Sequence, residues 1–130
     1  MALNRIRHNQ RMKTVLIDTN IILWTFNGGP DFREAIAEAM PGTTIAIPSC
    51  VISELKKLET KEARTALEFC KDMNIIDIGA GYADDMLLDA AQNGNIIATN
   101  DKDLLGRLKK LNLNALKIRE KSKLILTEGN

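Results

Sequence analysis

Four carboxylate residues stand in patterns where an apolar side chain is the usual occupant. Asp18 ends the apolar run 15–17, and a continuous aliphatic run of this kind predicts a buried parallel strand. Asp84 precedes apolar residues by three, four and seven positions, as does Asp101, and Glu54 borders the apolar stripe of another predicted helix. On a helix, those spacings place a side chain on the apolar face.

One interpretation of these four residues is a metal-dependent hydrolytic site. The carboxyl ends of parallel strands meet at one edge of a sheet, so side chains that follow them converge there. Four carboxylates in one cleft repel each other unless cations neutralise them, and oxygen ligands select Mg²⁺ or Mn²⁺ over zinc. Such ions support hydrolysis of phosphodiester bonds.

Simpler roles exist for Asp101, Asp84 and Glu54. Asp101 can cap its helix, and Asp84 can stabilise the positive end of its helix from the first turn. Glu54 can form a surface ion pair with Lys57 one turn along the helix. For each of these three taken alone, the simpler role is favoured, whereas Asp18 is expected to be functional, and the combination of all four points to a site.

Several other chemistries have little support in the sequence. The chain has one histidine, His8, which disfavours histidine-based cleavage of RNA and Ser-His-Asp catalysis. It has neither a glycine-rich phosphate loop with Lys-Ser/Thr nor a dinucleotide fingerprint. Cys50 and Cys70 are expected to be small apolar side chains rather than a disulfide or a zinc site.

The elements that must position these carboxylates alternate between strand-like and helix-like patterns. The predicted strands are 14–17, 44–47, 75–78, 95–99 and 115–118, and the predicted helices are 21–26, 31–40, 48–58, 61–73, 82–92 and 102–111. Such alternation predicts an α/β protein with a mainly parallel sheet covered by helices. Residues 124–126 are expected to form a short edge strand or a tail that docks on a partner.

Charge is segregated along the 130 residues, although the formal net charge is only +1. We expect one domain at 14–118 with a basic arm at 1–13 and a basic extension at 119–130. Basic ends around an acidic middle suit a polyanion held at the rim of a metal site, and a solvated helix face explains the charges equally well. The candidate backbone-binding residues are Arg5, Arg7, Arg11, Arg107, Lys109, Lys110, Arg119 and Lys121.

No apolar stretch is long enough to span a membrane, and no signal-peptide pattern follows the basic residues near the start. We therefore expect a soluble protein in the cytoplasm, without a membrane partner.

Four blocks of the chain resemble the signature blocks of PIN-domain ribonucleases: Ile17 to Asn20, Pro48 to Leu55, Ala83 to Asp85 and Ala98 to Leu104. The resemblance implies a Rossmann-like, three-layer α/β/α sandwich and an endonuclease that depends on Mg²⁺ or Mn²⁺. It implies a metal cluster made of Asp18, Glu54, Asp84 and Asp101. It further implies that Asn20 and Thr99 hold those acids or a metal-bound water. It also implies that Asp103 supports the metal ligands without itself contacting the metal.

Two branches of that family are similar to this chain. One is the toxin half of prokaryotic toxin-antitoxin pairs, and the other cuts precursor ribosomal RNA. The stretch from Ile118 to Leu124 tilts the comparison slightly towards the second branch. The partners implied are RNA, an antitoxin or a ribosome-assembly protein, and a second copy of the chain. The region of Trp24, Phe26 and Phe32 is either a dimer interface or, as we favour, core.

Two alternatives from other classes remain at this point. A catalytically silent RNA-binding or scaffold subunit would use the same fold. A phospho-acceptor signalling domain is also a small parallel α/β unit, but it would be expected to show paired acids after the first strand, where Asp18 stands alone.

Overall fold

The structure, a computed structural model, describes residues 13–127 and contains the predicted strands and helices. Within that range the strands are β1 Thr14–Ile17, β2 Thr44–Pro48, β3 Ile75–Ile76, β4 Ile96–Ala98, β5 Ala115–Arg119 and β6 Lys123–Leu126. The helices are α1 Thr19–Phe26, α2 Phe32–Ala39, α3 Ser49–Leu58, α4 Lys61–Cys70, α5 Ala83–Gln92 and α6 Lys102–Lys110.

The described strands join into one sheet in the order β3-β2-β1-β4-β5-β6. Every pairing is parallel except that of β5 with β6, which is antiparallel. The edge strand β6 lies within the segment expected as a basic extension, and its Leu124 is buried. The chain builds outward from β1 to one side through β2 and β3, then crosses to β4 on the other side. Ligands of open α/β sheets bind at such a switch in strand order.

Helices cover both faces of the sheet, because successive side chains of a strand point in opposite directions. Val15 and Ile17 face a cluster built with α1 to α4. Leu16, between them, faces a second cluster built with α5 and α6. The predicted three-layer α/β/α sandwich with a mainly parallel sheet is confirmed.

The aromatic residues near α1 belong mainly to the core. Phe32 is fully buried, while Trp24 and Phe26 are half-buried and pack against the same cluster. Cys70 is buried, as expected, whereas Cys50 is half-buried, and both are free thiols. Among the residues that the structure describes, no helix combines the length and the apolar character that crossing a bilayer requires.

Candidate active site

Asp18 lies at the carboxyl end of β1 and caps the start of α1. Its backbone is extended, and its Oδ1 accepts a hydrogen bond from the backbone N–H of Thr19 at 2.8 Å. Its Oδ2 accepts from the Thr99 hydroxyl at 2.7 Å and from the Asn20 amide at 3.2 Å. Only 4% of the residue is exposed. Three donors thus hold a buried carboxylate in one orientation.

Burial raises the pKa of Asp18, and the hydrogen bonds from Thr99 and Thr19 oppose that change. The negative charges of Glu54 and Asp101 raise the pKa further. A nearby cation would reverse this balance, because opposite charge favours the ionised form.

Thr99 connects Asp18 to the start of α6. It follows β4, the neighbour of β1, and is fully buried. Its hydroxyl donates to Asp18 and accepts from the backbone N–H of Asp101 at 3.1 Å. Asn20 makes a parallel connection, since its side-chain oxygen accepts from the backbone N–H of Asn100 at 2.9 Å. Both side chains therefore hold the ends of β1 and β4 in register.

Asp101 caps α6, as its simpler role requires. Its Oδ1 accepts from the backbone N–H groups of Asp103 and Leu104 at 2.8 and 3.2 Å. Within residues 13–127, its Oδ2 accepts no hydrogen bond from a side chain or from the backbone. One carboxylate can thus both cap a helix and offer an oxygen to a ligand.

Glu54 approaches the site from α3. Its Oε1 accepts a hydrogen bond from the Thr19 hydroxyl at 2.6 Å, and the ion pairs among the described residues do not include one with Lys57. Sequence reasoning assigned Thr19 no role. The one feature of the sequence that could have pointed to Thr19 is its position, as a hydroxyl residue directly after the aspartate at the end of the strand.

Replacing Thr19 with valine is expected to lower roughly tenfold the RNA cleavage that the family resemblance implies, because it removes a hydrogen bond to a charged group. The shape of the side chain is kept, so the protein should fold normally. Single-turnover cleavage rates of the Thr19→Val and Thr19→Ser proteins test this, and serine should retain most of the activity. Equal rates for valine and wild type would show that Glu54 needs no help from Thr19.

Asp84 lies in the first turn of α5 and is half-buried. Burial is the main cause that raises its pKa, followed by the charges of Asp18, Asp101 and Glu54. Arg107 opposes the rise. The charges of the other three carboxylates therefore act on Asp84, as those of Glu54 and Asp101 act on Asp18.

A cavity of about 380 Å³ brings the four carboxylates together, and we call it the carboxylate cavity. Its lining consists of Asp18, Thr19, Asn20, Leu23, Glu54, Leu58, Tyr82, Ala83, Asp84 and Asp101. The donor set fits a hard divalent cation, because it is all oxygen and its like charges raise two pKa values. However, no three of the acidic, cysteine or histidine side chains in 13–127 are arranged to hold an ion directly. A change of side-chain conformation would be needed to bring three of them onto one ion.

The other predicted site residues lie outside this cavity. Asp103 is exposed in the first turn of α6, and the described lining does not include it. Arg107 donates to Asp85 at 2.9 Å on the surface. Exposed basic residues also occur on α6 and around the β5–β6 turn, namely Lys109, Lys110, Arg119 and Lys121. Arg5, Arg7 and Arg11 lie outside the described residues.

Three relatives resemble this chain. Ribonuclease VapC4 of Methanocaldococcus jannaschii is 31% identical over 122 residues, which cover 85% of this chain and 93% of that protein. The rRNA-processing protein fcf1 of Schizosaccharomyces pombe is 33% identical over 104 residues, which cover 75% of this chain. The match spans only 54% of fcf1. The solved structure of the PIN domain endonuclease Utp24 superposes with a TM-score of 0.77 at 28% identity, covering 88% of this chain and 91% of that one.

A family model described as PIN like domain matches residues 15–121, which include all four carboxylates, β1 from its second residue, and β2 to β5. The fold and the relatives agree with that match. The chain belongs to the PIN-like domain family.

Proposed function

We propose that this protein is an endoribonuclease that hydrolyses RNA phosphodiester bonds with Mg²⁺ or Mn²⁺ as cofactor. The observation that carries the proposal is the carboxylate cavity, in which four acids from four separate elements meet at the switch in strand order. The names of the relatives, which include a ribonuclease and an endonuclease, support the reaction class.

The residues of the cavity divide the work. Asp18, Glu54, Asp84 and Asp101 would hold one or two cations. When bound, a divalent cation activates water and offsets charge on the attacking and leaving oxygens of the phosphodiester. Thr99 and Asn20 fix the orientation of Asp18. Thr19 fixes that of Glu54, so the ligand set is partly organised before a cation arrives.

Basic side chains would hold the RNA backbone. Arg107 lies near enough to lower the pKa of Asp84, so a phosphate that approaches this side of the cavity meets a positive charge. Contacts of this kind position RNA without reading its sequence. The exposed lysines of α6 and the residues of the β5–β6 turn would extend the contact.

Two cellular roles are consistent with this proposed reaction. The chain resembles a protein named for ribonuclease activity and another named for rRNA processing. We propose either processing of ribosomal RNA or action as the toxin of a toxin-antitoxin pair. A precursor rRNA fragment cut at one site would support processing. Indiscriminate arrest of growth on expression, relieved by a neighbouring small protein, would support the toxin.

Cleavage of labelled RNA with Mg²⁺, Mn²⁺ or EDTA tests the reaction. Both metals are expected to support cleavage of structured or unstructured RNA, and EDTA should abolish it until excess metal is added. Undiminished cleavage in EDTA would exclude a metal-dependent site. Metal binding and RNA binding without cleavage of any RNA would instead indicate a silent RNA-binding subunit.

A further inference from the structure

A second cavity, of about 640 Å³, adjoins the carboxylate cavity, and we call it the flanking cavity. Glu54, Tyr82 and Ala83 line both cavities. The flanking cavity lies between α3 and the loop 77–82, and its volume is in the range of small-molecule sites. Any strand whose phosphodiester sits at the carboxylates can continue into it.

Tyr82 stands at the border between the two cavities. It is 71% exposed, whereas Phe32 is buried and the remaining aromatic side chains, Trp24, Phe26 and Phe69, are half-buried. An aromatic ring held in water beside an acidic cleft is available for stacking, because every nucleobase has a π-face. Exposed aromatics of this kind are common in single-strand binding sites.

Two glycines shape the loop that carries Tyr82. Gly79 and Gly81 have φ values of 120° and 136°, which residues with a side chain rarely adopt. A Cβ on Gly79 would lie 2.8 Å from the sulfur of Met86. The Asp77 carboxylate accepts from the backbone N–H of Gly79 at 2.8 Å. The turn ends at Tyr82, the residue that directly precedes α5 and lies two positions before Asp84.

The opposite wall of the flanking cavity is hydrophilic. Ser49, Ser53 and Lys57 line it at four-residue intervals, which is one face of α3. Lys57 takes part in none of the ion pairs formed between described residues. Hydroxyl groups and a free ammonium suit a ribose and a phosphate.

We propose that the flanking cavity binds the nucleotide adjacent to the cut phosphodiester, with its base stacked on Tyr82 and its backbone contacted by Lys57. This inference rests on the proposed function for the position of the cut. A base can offer its face to a side chain only when it is unstacked, so the nucleotide bound here must be unpaired.

Paired variants test the subsite. Tyr82→Ala is expected to weaken RNA binding and lower single-turnover cleavage about 5- to 100-fold, while Tyr82→Phe retains both because it keeps the ring. Dissociation constants are measured in an Asp18→Asn background, so that no RNA is cut. Leu111→Ala removes another exposed apolar side chain, away from both cavities, and should change nothing.

An abasic nucleotide placed in turn on each side of the cut completes a double-mutant cycle. On one side it should weaken wild-type binding by a similar factor and cancel the effect of Tyr82→Ala. For the backbone contact, Lys57→Gln should reduce the salt dependence of binding by about 0.7 in log–log slope. Lys56→Gln, on the same helix but outside both linings, should not.

Tyr82→Ala binding RNA as well as Tyr82→Phe would overturn the subsite, as would additive effects of Tyr82→Ala and the abasic substitution. A wild-type protein that cuts no RNA in either metal would count against the proposed nuclease function alone. The binding difference between the alanine and phenylalanine proteins would then still decide the subsite, and an absence of RNA binding would reject it too.

Discussion

Asp18→Asn is expected to abolish RNA cleavage, with a loss well above the 10- to 100-fold that is typical when a partner of a metal ligand is removed. Asp18 is the most deeply buried of the four carboxylates and receives three hydrogen bonds, so its position is the best defined. The amide keeps the size of the side chain but loses the charge that attracts a cation. Single-turnover cleavage at saturating Mn²⁺ measures the loss.

The stability of the same variant separates a chemical defect from a folding defect. The pKa of Asp18 is raised, so the ionised carboxylate reduces the free energy of unfolding at neutral pH when no cation is bound. Asp18→Asn removes that charge but also removes the oxygen that accepts from Thr99 and Asn20, and because these effects oppose each other the variant should melt, without metal, close to wild type. Wild type should gain stability on addition of Mn²⁺ and the variant should gain little.

RNA binding by the Asp18→Asn protein should be largely unchanged, because basic side chains elsewhere make the backbone contacts. Asp89→Asn is a matched control, since Asp89 is exposed on the same helix as Asp84 and takes part in none of the ion pairs between described residues. Cleavage by Asp18→Asn at the rate of wild type would show that the proposed site is wrong.

Thr99→Val is expected to lower cleavage about 10- to 100-fold, the usual range for a residue that orients a metal ligand. It should also lower the free energy of unfolding by about 1–3 kcal/mol. The physical reason is that one hydroxyl serves two partners. Valine fills the same space but leaves the backbone N–H of Asp101 without its acceptor and Asp18 without its shortest hydrogen bond.

Thr99→Ser is the control for this prediction, because it keeps the hydroxyl and loses one methyl group. It should retain most of the activity and stability, as judged by single-turnover cleavage and urea unfolding. If serine and valine were equally impaired, packing of the methyl group rather than hydrogen bonding would explain the role of Thr99. The combined loss of activity and stability distinguishes Thr99→Val from Asp18→Asn.

Most of the fold was predictable from local pattern. The aliphatic run before Asp18 and the spacing of Asp84 to Leu87 and Ala91 identify a strand and the buried face of a helix, since both signals depend on residues close in sequence. The element ends were less accurate, and β3 has only two residues where four were expected. Residues 124–126 were expected to form either an edge strand or a docking tail, and their pairing with β5 shows that they form the edge strand.

The roles of single polar side chains were harder to predict. Asp101 had two competing roles, and the structure gives it the cap while also placing it in the carboxylate cavity. No function was predicted for Thr19 or Tyr82 from the sequence, because threonine and tyrosine have many common structural roles. Only the neighbours brought by other elements distinguish among these roles.

The sequence by itself determined the alternation of elements, the buried side of each helix and the four acidic candidates, because periodicity acts over one or two turns. Only the tertiary structure decided which side chains meet. Thr99 reaches Asp18 across 81 positions and Thr19 reaches Glu54 across 35. Such contacts follow from strand order and from packing of helices on the sheet, and these depend on the whole chain at once.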